Sequence, residues 1–198
     1  QAIQTADVAA LTTAQLSGLS TSNVAALTSG QVTSLGTSQI RALSTTQLNA
    51  LDTGDVAALL TNQVQALTTA QISGVSTDAL NALTTGQVQA LTTAQVSALT
   101  NPQVASLNTA QVVALTTAQA SALTTAQLNA MGTDQIQAIQ TADVAALTTA
   151  QLSGLSTSNV AALTSGQVTS LDSSQVRALS ASQLNALDTG DVAALLTS

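Results

Sequence analysis

The 198-residue chain contains no histidine, cysteine, phenylalanine, tyrosine or tryptophan, and neither lysine nor glutamate. Without the large aromatic fillers that an ordinary domain of this length uses, a thick three-dimensional core is not expected. A thin core of Leu, Val, Ile and Ala fits better, and thin cores belong to solenoids. Nucleophilic catalysis needs a Ser, Thr or Cys beside a general base, usually His, and that base is missing. Zinc ligands are absent apart from Asp, which excludes a zinc site in practice. The cations are Arg41 and Arg177 alone, against nine Asp, for a net charge of −7. Two cations cannot neutralise a phosphate backbone or dock on an anionic bilayer, so neither nucleic acid nor a membrane surface is an expected partner. A polar residue interrupts every few positions, so no run reaches the ~18–20 apolar residues of a membrane span. The opening residues show no basic-then-apolar leader. Gln1 falls mid-pattern, which is compatible with a processed product or an excerpt of a longer chain. The absence of cysteine permits an extracellular setting without indicating one.

What the chain does have is a period of eight. Every eighth residue from Ile3 (Leu11, Leu19, Leu27, Leu35 and onward to Leu195) is large and apolar, with Val75, Met131 and Ile139 among the 25 members. A second apolar column runs Val8, Leu16, Val24, Val32, Ile40 to Val192, shrinking only at Ala120. Ala, Gly or Ser precedes each member of the first column, and Gln usually precedes each member of the second. The unit reads Thr92-Thr93-Ala94-Gln95-Val96-Ser97-Ala98-Leu99, and no insertion breaks its phase. Residues 137–198 repeat residues 1–62 with six substitutions, an offset of 17 octads. That number is odd, so the octad rather than a pair of octads is the expected structural unit. Residues 1–198 read as a single continuous octapeptide-repeat solenoid, with 137–198 a near copy of 1–62.

One unbroken helix cannot use this pattern. At ~100° per residue the apolar stripe would drift by ~80° in every octad and soon face all directions. The helix must therefore restart in each unit. Asn101-Pro102 suggests where: proline is tolerated at the first helical position, which makes Asn101, Thr93 and Thr109 the preferred N-caps. The alternative puts the cap one residue earlier, at Thr92, with Gln95 completing a capping box and Leu91 stapling to Val96. Each helix should end near the Leu, with Gly36, Gly132 and Asn108 allowing a sharp change of direction. The charges agree with a helix dipole: all nine Asp fall on the turn or first helical turn, and both Arg in the later half. The expected fold is all-α, a solenoid of very short helices, one per eight-residue repeat. A β-solenoid is the competitor, because Thr and Val favour strands.

Few residues invite chemistry. Asp52 with Asp55, repeated as Asp188 with Asp191, is the nearest approach to a paired-carboxylate site, and its Asp-Thr-Gly-Asp sequence could touch Ca²⁺. Helix-start acids on a solvated turn are the simpler reading, and no catalytic, cofactor-binding or metal residue is assigned. The Gln column (Gln87, Gln95, Gln103, Gln111) admits two readings: amides hydrogen-bonding between neighbouring helices, or polar first-turn residues exposed to water. The Thr column (Thr84, Thr92, Thr100, Thr116, Thr124) could match an ice lattice or carry glycans, although capping explains it more simply. Arg41, Arg177 and Val113 are the surface positions that depart from the repeat.

The phrase Leu-Thr-Thr-Ala-Gln-Val-x-Ala-Leu resembles the octad arrays of long proteobacterial secreted or cell-surface proteins, often labelled adhesin, haemagglutinin-like or haem-utilisation proteins. The resemblance covers the whole chain and implies an extended module outside the cell or on its surface. Haem binding is not expected, since Met131 is the one candidate axial ligand. The resulting expectation is a non-enzymatic structural protein without cofactors, a filament, stalk or appendage module, with an adhesin repeat domain or an ice-binding surface as alternatives. Open solenoid ends can stack, so self-association, end-to-end or lateral, into fibres is the expected partnership.

Overall fold

The computed structural model describes residues 4–195, so Ile3 and Ser198 lie outside the described residues. Twenty-four short α-helices run from α1 (Thr5–Ala9) to α24 (Thr189–Leu195), one per octad, and no strand occurs among the described residues. The helical solenoid is borne out and the β-solenoid is not.

Helix α12 (Thr93–Ala98) shows the unit. Thr92 is the N-cap, with extended backbone angles of φ −72° and ψ 156°. Its side chain accepts from the Gln95 amide at 3.2 Å, and Oε1 of Gln95 accepts from the Thr92 amide at 2.8 Å. The preferred cap at Thr93 is therefore corrected by one residue. The reason is the reach of glutamine, which can return to the cap amide from the third helical position, the geometry of a capping box. In α13 (Asn101–Ser106) the cap is Thr100, and Asn101 is already helical. Pro102 then stands second in the helix, where its missing amide is still one of the first four without an intrahelical partner.

The helix stops at the Leu. Leu91, before α12, turns extended at φ −57° and ψ 137°, and Thr92 continues extended into the cap. Two extended residues are thus a complete connection. Gly36 and Gly132, expected to make the turn, are instead N-caps at φ −71° and −79°. No residue with positive φ occurs among the described residues, glycine included. The reversal comes from extended backbone that any L-residue adopts.

Such helices, four to seven residues long, cannot persist alone, since isolated helices need ~12 residues or more in water. They are held by other turns of the solenoid. The described helices fall into two compact units, Gln1–Leu99 and Thr100–Ser198. In the first, α9 (Thr69–Gly74) packs on α12 and α8 (Thr61–Ala66) on α11 (Thr85–Ala90). In the second, α13 packs on α16 (Thr125–Ala130) and α19 (Thr149–Ser153) on α22 (Ser173–Ala178). The spacing is three helices in every case. Both apolar columns point inward: Val64 and Val96 are fully buried, and Leu67 and Leu99 nearly so. Each such side chain contributes about 1.5–3 kcal/mol on burial.

The small column sets how closely turns approach. A Cβ on Gly74 would lie 2.6 Å from Cγ2 of Thr45, and one on Gly154 would lie 2.5 Å from Cγ2 of Thr125. Ser34 and Ser170, in the same column, reach the main-chain oxygens of Thr5 and Thr141. The end of one helix therefore sits over the start of the helix three units earlier.

Candidate functional site

The most elaborate chemistry in the molecule belongs to the glutamine column. Gln95 is 2% exposed. While Oε1 holds the cap of its own helix, Nε2 donates to the carbonyl oxygens of Val64 at 2.9 Å, Gln65 at 3.4 Å and Leu67 at 2.7 Å. Those oxygens lie at the C-terminal end of α8, where helical carbonyls lose their intrahelical donors. One side chain thus caps the start of its own helix and the end of another, 28 to 31 residues back.

The arrangement recurs. Gln63 donates to Val32, Thr33 and Leu35, Gln71 to Ile40, Arg41 and Leu43, and Gln87 to Val56, Ala57 and Leu59. In the second unit Gln135 and Gln167 do the same, to Val104 and Leu107 and to Ile136 and Ile139. Gln103 and Gln111 are buried and complete the capping boxes of Thr100 and Asn108. Of the two readings left open, the inter-helix one holds, with main-chain oxygens rather than other amides as acceptors. A turn of the solenoid accordingly takes between three and four octads.

Octads that lack Gln show what its two ends do. Asn159 is one carbon shorter; its Nδ2 reaches only the Leu128 oxygen, at 2.7 Å, and it forms no capping box. The neglected cap amide of Ser156 is accepted by Oδ1 of Asn129, whose Nδ2 donates to the Gly154 oxygen. Aspartate has no donor to offer. Asp143 is 3% exposed, accepts from the Thr117 hydroxyl at 2.8 Å through Oδ1, and buries Oδ2 without a hydrogen-bond partner. Gln140, at the cap of that octad, donates to the Val113 oxygen instead.

The Asp52–Asp55 pair divides into two structural tasks. Asp52 caps its helix by accepting from the Asp55 amide at 2.7 Å, and Asp55 accepts from the Ser29 hydroxyl at 2.7 Å. Both acids start a helix, as expected, but the solvated turn is corrected: Asp55 and Asp191 are buried, because the glutamine column they occupy faces another turn. Asp188 caps Asp191 as Asp52 caps Asp55. No group of three acidic, His or Cys side chains converges as a metal site among the described residues. Thr84, Thr92, Thr100, Thr116 and Thr124 are all N-caps accepting from a Gln amide. Arg41 and Arg177 are exposed in the last turns of their helices, where the dipole favours a cation. Met131 is buried core, and Val113 is exposed. No helix of the described residues is long and apolar enough to cross a membrane.

No curated protein matches the chain. A model of the ALTTAQ repeat does, in nine overlapping segments that run without a gap from residue 1 to residue 173 (1–37, 32–61, 48–85, 56–93, 69–101, 80–109, 93–125, 104–139 and 136–173). The Ala-Leu-Thr-Thr-Ala-Gln of that repeat is the small column, the inward Leu, the cap and the bridging glutamine described above, and the chain belongs to the ALTTAQ repeat family.

Proposed function

We propose that the chain is a non-enzymatic structural module, a stalk or filament segment in the cell envelope or outside the cell. The observation that carries this reading is the glutamine bridge. Gln63, Gln71, Gln87 and Gln95 each join their own helix to another turn through main-chain oxygens, which every octad supplies whatever its side chains. A bond of that kind propagates along an array of any length. The polar groups that catalysis would need are engaged in the same work: Asp52, Asp188 and the Thr column cap helices, while Asp55 and Asp143 lie buried between turns.

The test is a deletion series in the parent cell, removing whole octads in steps of four. A spacer shortens in proportion, as read by electron microscopy of the labelled surface structure, and its protease sensitivity stays that of an exposed protein. Protein confined to the cytoplasm, or a structure of unchanged length, would refute the reading.

A further inference from the structure

Asp143 occupies the glutamine column of α18 (Thr141–Ala145), a helix of the second unit. Its Oδ1 accepts from the Thr117 hydroxyl at 2.8 Å, while Oδ2 is buried without a hydrogen-bond partner. A carboxylate taken out of water is costly unless donors or an opposite charge surround it. The neighbouring helices supply no opposite charge. α18 packs on α15 (Thr117–Ala122) and α21 (Ser165–Thr169), and neither of these carries a charged residue. Arg177 is exposed on α22, which packs on α19, and Arg41 belongs to the other unit.

The glutamine column defines what lies opposite. Gln167 sets its amide against main-chain oxygens 31, 30 and 28 residues back, those of Ile136, Gln137 and Ile139. Counted from Asp143, the same set is Val112, Val113 and Leu115, at the C-terminal end of α14 (Thr109–Val113). Gln140 donates to the Val113 oxygen at 2.7 Å, which leaves the outer two. Val112 and Leu115 are both buried. The Val112 oxygen accepts from the Leu115 amide at 3.1 Å, as the Ile136 oxygen accepts from the Ile139 amide at 3.3 Å while also taking Gln167. Asn159, of the same length as aspartate, brings Nδ2 to 2.7 Å from the oxygen 31 residues back, so a side chain this short reaches the set.

We infer that a sodium ion binds between the Asp143 carboxylate and the main-chain oxygens of Val112 and Leu115. With Oδ1 turned to Thr117, Oδ2 is the oxygen left for that set. The position filled by a glutamine amide elsewhere becomes a meeting point of acceptors, and acceptors without a donor select a cation. The end of α14 favours positive charge through the helix dipole, and helix-end carbonyls bind sodium in membrane transporters. One carboxylate matches a single positive charge. Calcium takes about 6–8 oxygens and magnesium keeps several waters, more than a site this enclosed holds. The ion joins α14 to α18 in the role of the missing amide.

Thermal melts of the purified 198-residue chain at pH 7, in sodium chloride and in choline chloride of equal ionic strength, test the site. Sodium at about tenfold its half-saturating concentration should raise the melting temperature by about 3–5 °C. Asp143→Gln restores the residue of the array with its own donor, and Asp143→Asn adds a donor at unchanged length. Both variants should keep the circular dichroism of wild type, melt above it in choline chloride, and melt alike in the two salts. The sodium NMR line should broaden more with wild type than with Asp143→Gln. A wild type that melts at one temperature in both salts would overturn the inference. So would a sodium shift of equal size in either variant, or equal broadening by wild type and Asp143→Gln.

Discussion

Asn49 bonds both sides of the junction between α9 and the octad that begins at Ser76, one with each end of its amide. Its Oδ1 accepts from the Ser76 amide at 2.8 Å, and its Nδ2 donates to the Gly74 oxygen at 3.1 Å. That octad, α10 (Thr77–Asn81), has Ala79 where the array places glutamine. The cap amide that a glutamine would have held from within is held instead from 27 residues away. A cavity of about 20 Å³, walled by Leu48, Leu51, Val75 and Ala79 among others, marks the same octad. Asn129 and Ser156 repeat the relation beside Asn159.

The substitution should therefore be correctable. Asn49→Ala leaves the Ser76 amide without its acceptor and is expected to cost about 1 kcal/mol. Ala79→Gln supplies an acceptor for that amide and a donor for the oxygens of Leu48 and Leu51. In a double-mutant cycle read by urea denaturation, Asn49→Ala should cost clearly less in the Ala79→Gln background. Additive effects would show that the two side chains do not share a task.

Gln95→Glu tests the donor half of the bridge at a buried position. The cap contact survives, but a carboxylate replaces the amide that faced the oxygens of Val64 and Leu67. Burial among acceptors raises the folded-state pKa of that glutamate above the ordinary ~4.3. The folded state then binds the extra proton, so the variant is most stable below pH ~4.3 and loses stability as pH rises through the folded value. Thermal melts at pH 4 and pH 7 should diverge for the variant and stay together for Gln95→Met. A variant insensitive to pH would mean that water reaches the bridge.

Asp143→Asn should stabilise the protein. The amide keeps an oxygen for the Thr117 hydroxyl and gains a donor, which Asn159 already aims at the main-chain oxygen 31 residues before it. Relieving a buried acceptor without a partner is worth about 1–3 kcal/mol, visible as a higher urea midpoint. A lower midpoint would assign the Asp143 carboxylate a role that the hydrogen bonds do not show.

The small column predicts an asymmetry between neighbours. Ala98 is half-buried at the end of its helix, in the column where Gly74 and Gly154 meet threonines of another turn, while Ser97 faces solvent. Ala98→Leu should lower the melting temperature by several degrees and Ser97→Leu hardly at all, since overpacking costs about 1–3 kcal/mol. Equal melting temperatures would mean that the turns are not in close contact there.

Much of this was legible in the residues. The two apolar columns state which side chains face inward, and their drift on a continuous helix requires a break in every octad. Charge placement agreed as well, with every Asp at a helix start and both Arg toward an end. The cap was misplaced by one residue because Asn101-Pro102 satisfies a proline rule equally well one position later. Gln95 was harder to read, because its acceptors at Val64 and Leu67 stand at separations that are not multiples of eight. An eight-residue period does not say how many octads complete a turn. Nor does it show that Asp55 and Asp143 lie beneath another turn. The signal available was substitution in company: an Asn at position 49 or 129, thirty residues ahead of an octad that lacks Gln.

The connections between helices, made from two extended residues with ordinary negative φ, bear on how such a protein changes over time. A turn that demanded glycine would have to be copied together with its glycine, and most errors there would be fatal. Here any duplicated stretch of whole octads brings a workable backbone with it, wherever it is inserted. Copying errors at the gene level then alter the length of the protein far more readily than its architecture, and the reappearance of residues 1–62 at 137–198 reads as the trace of one such event.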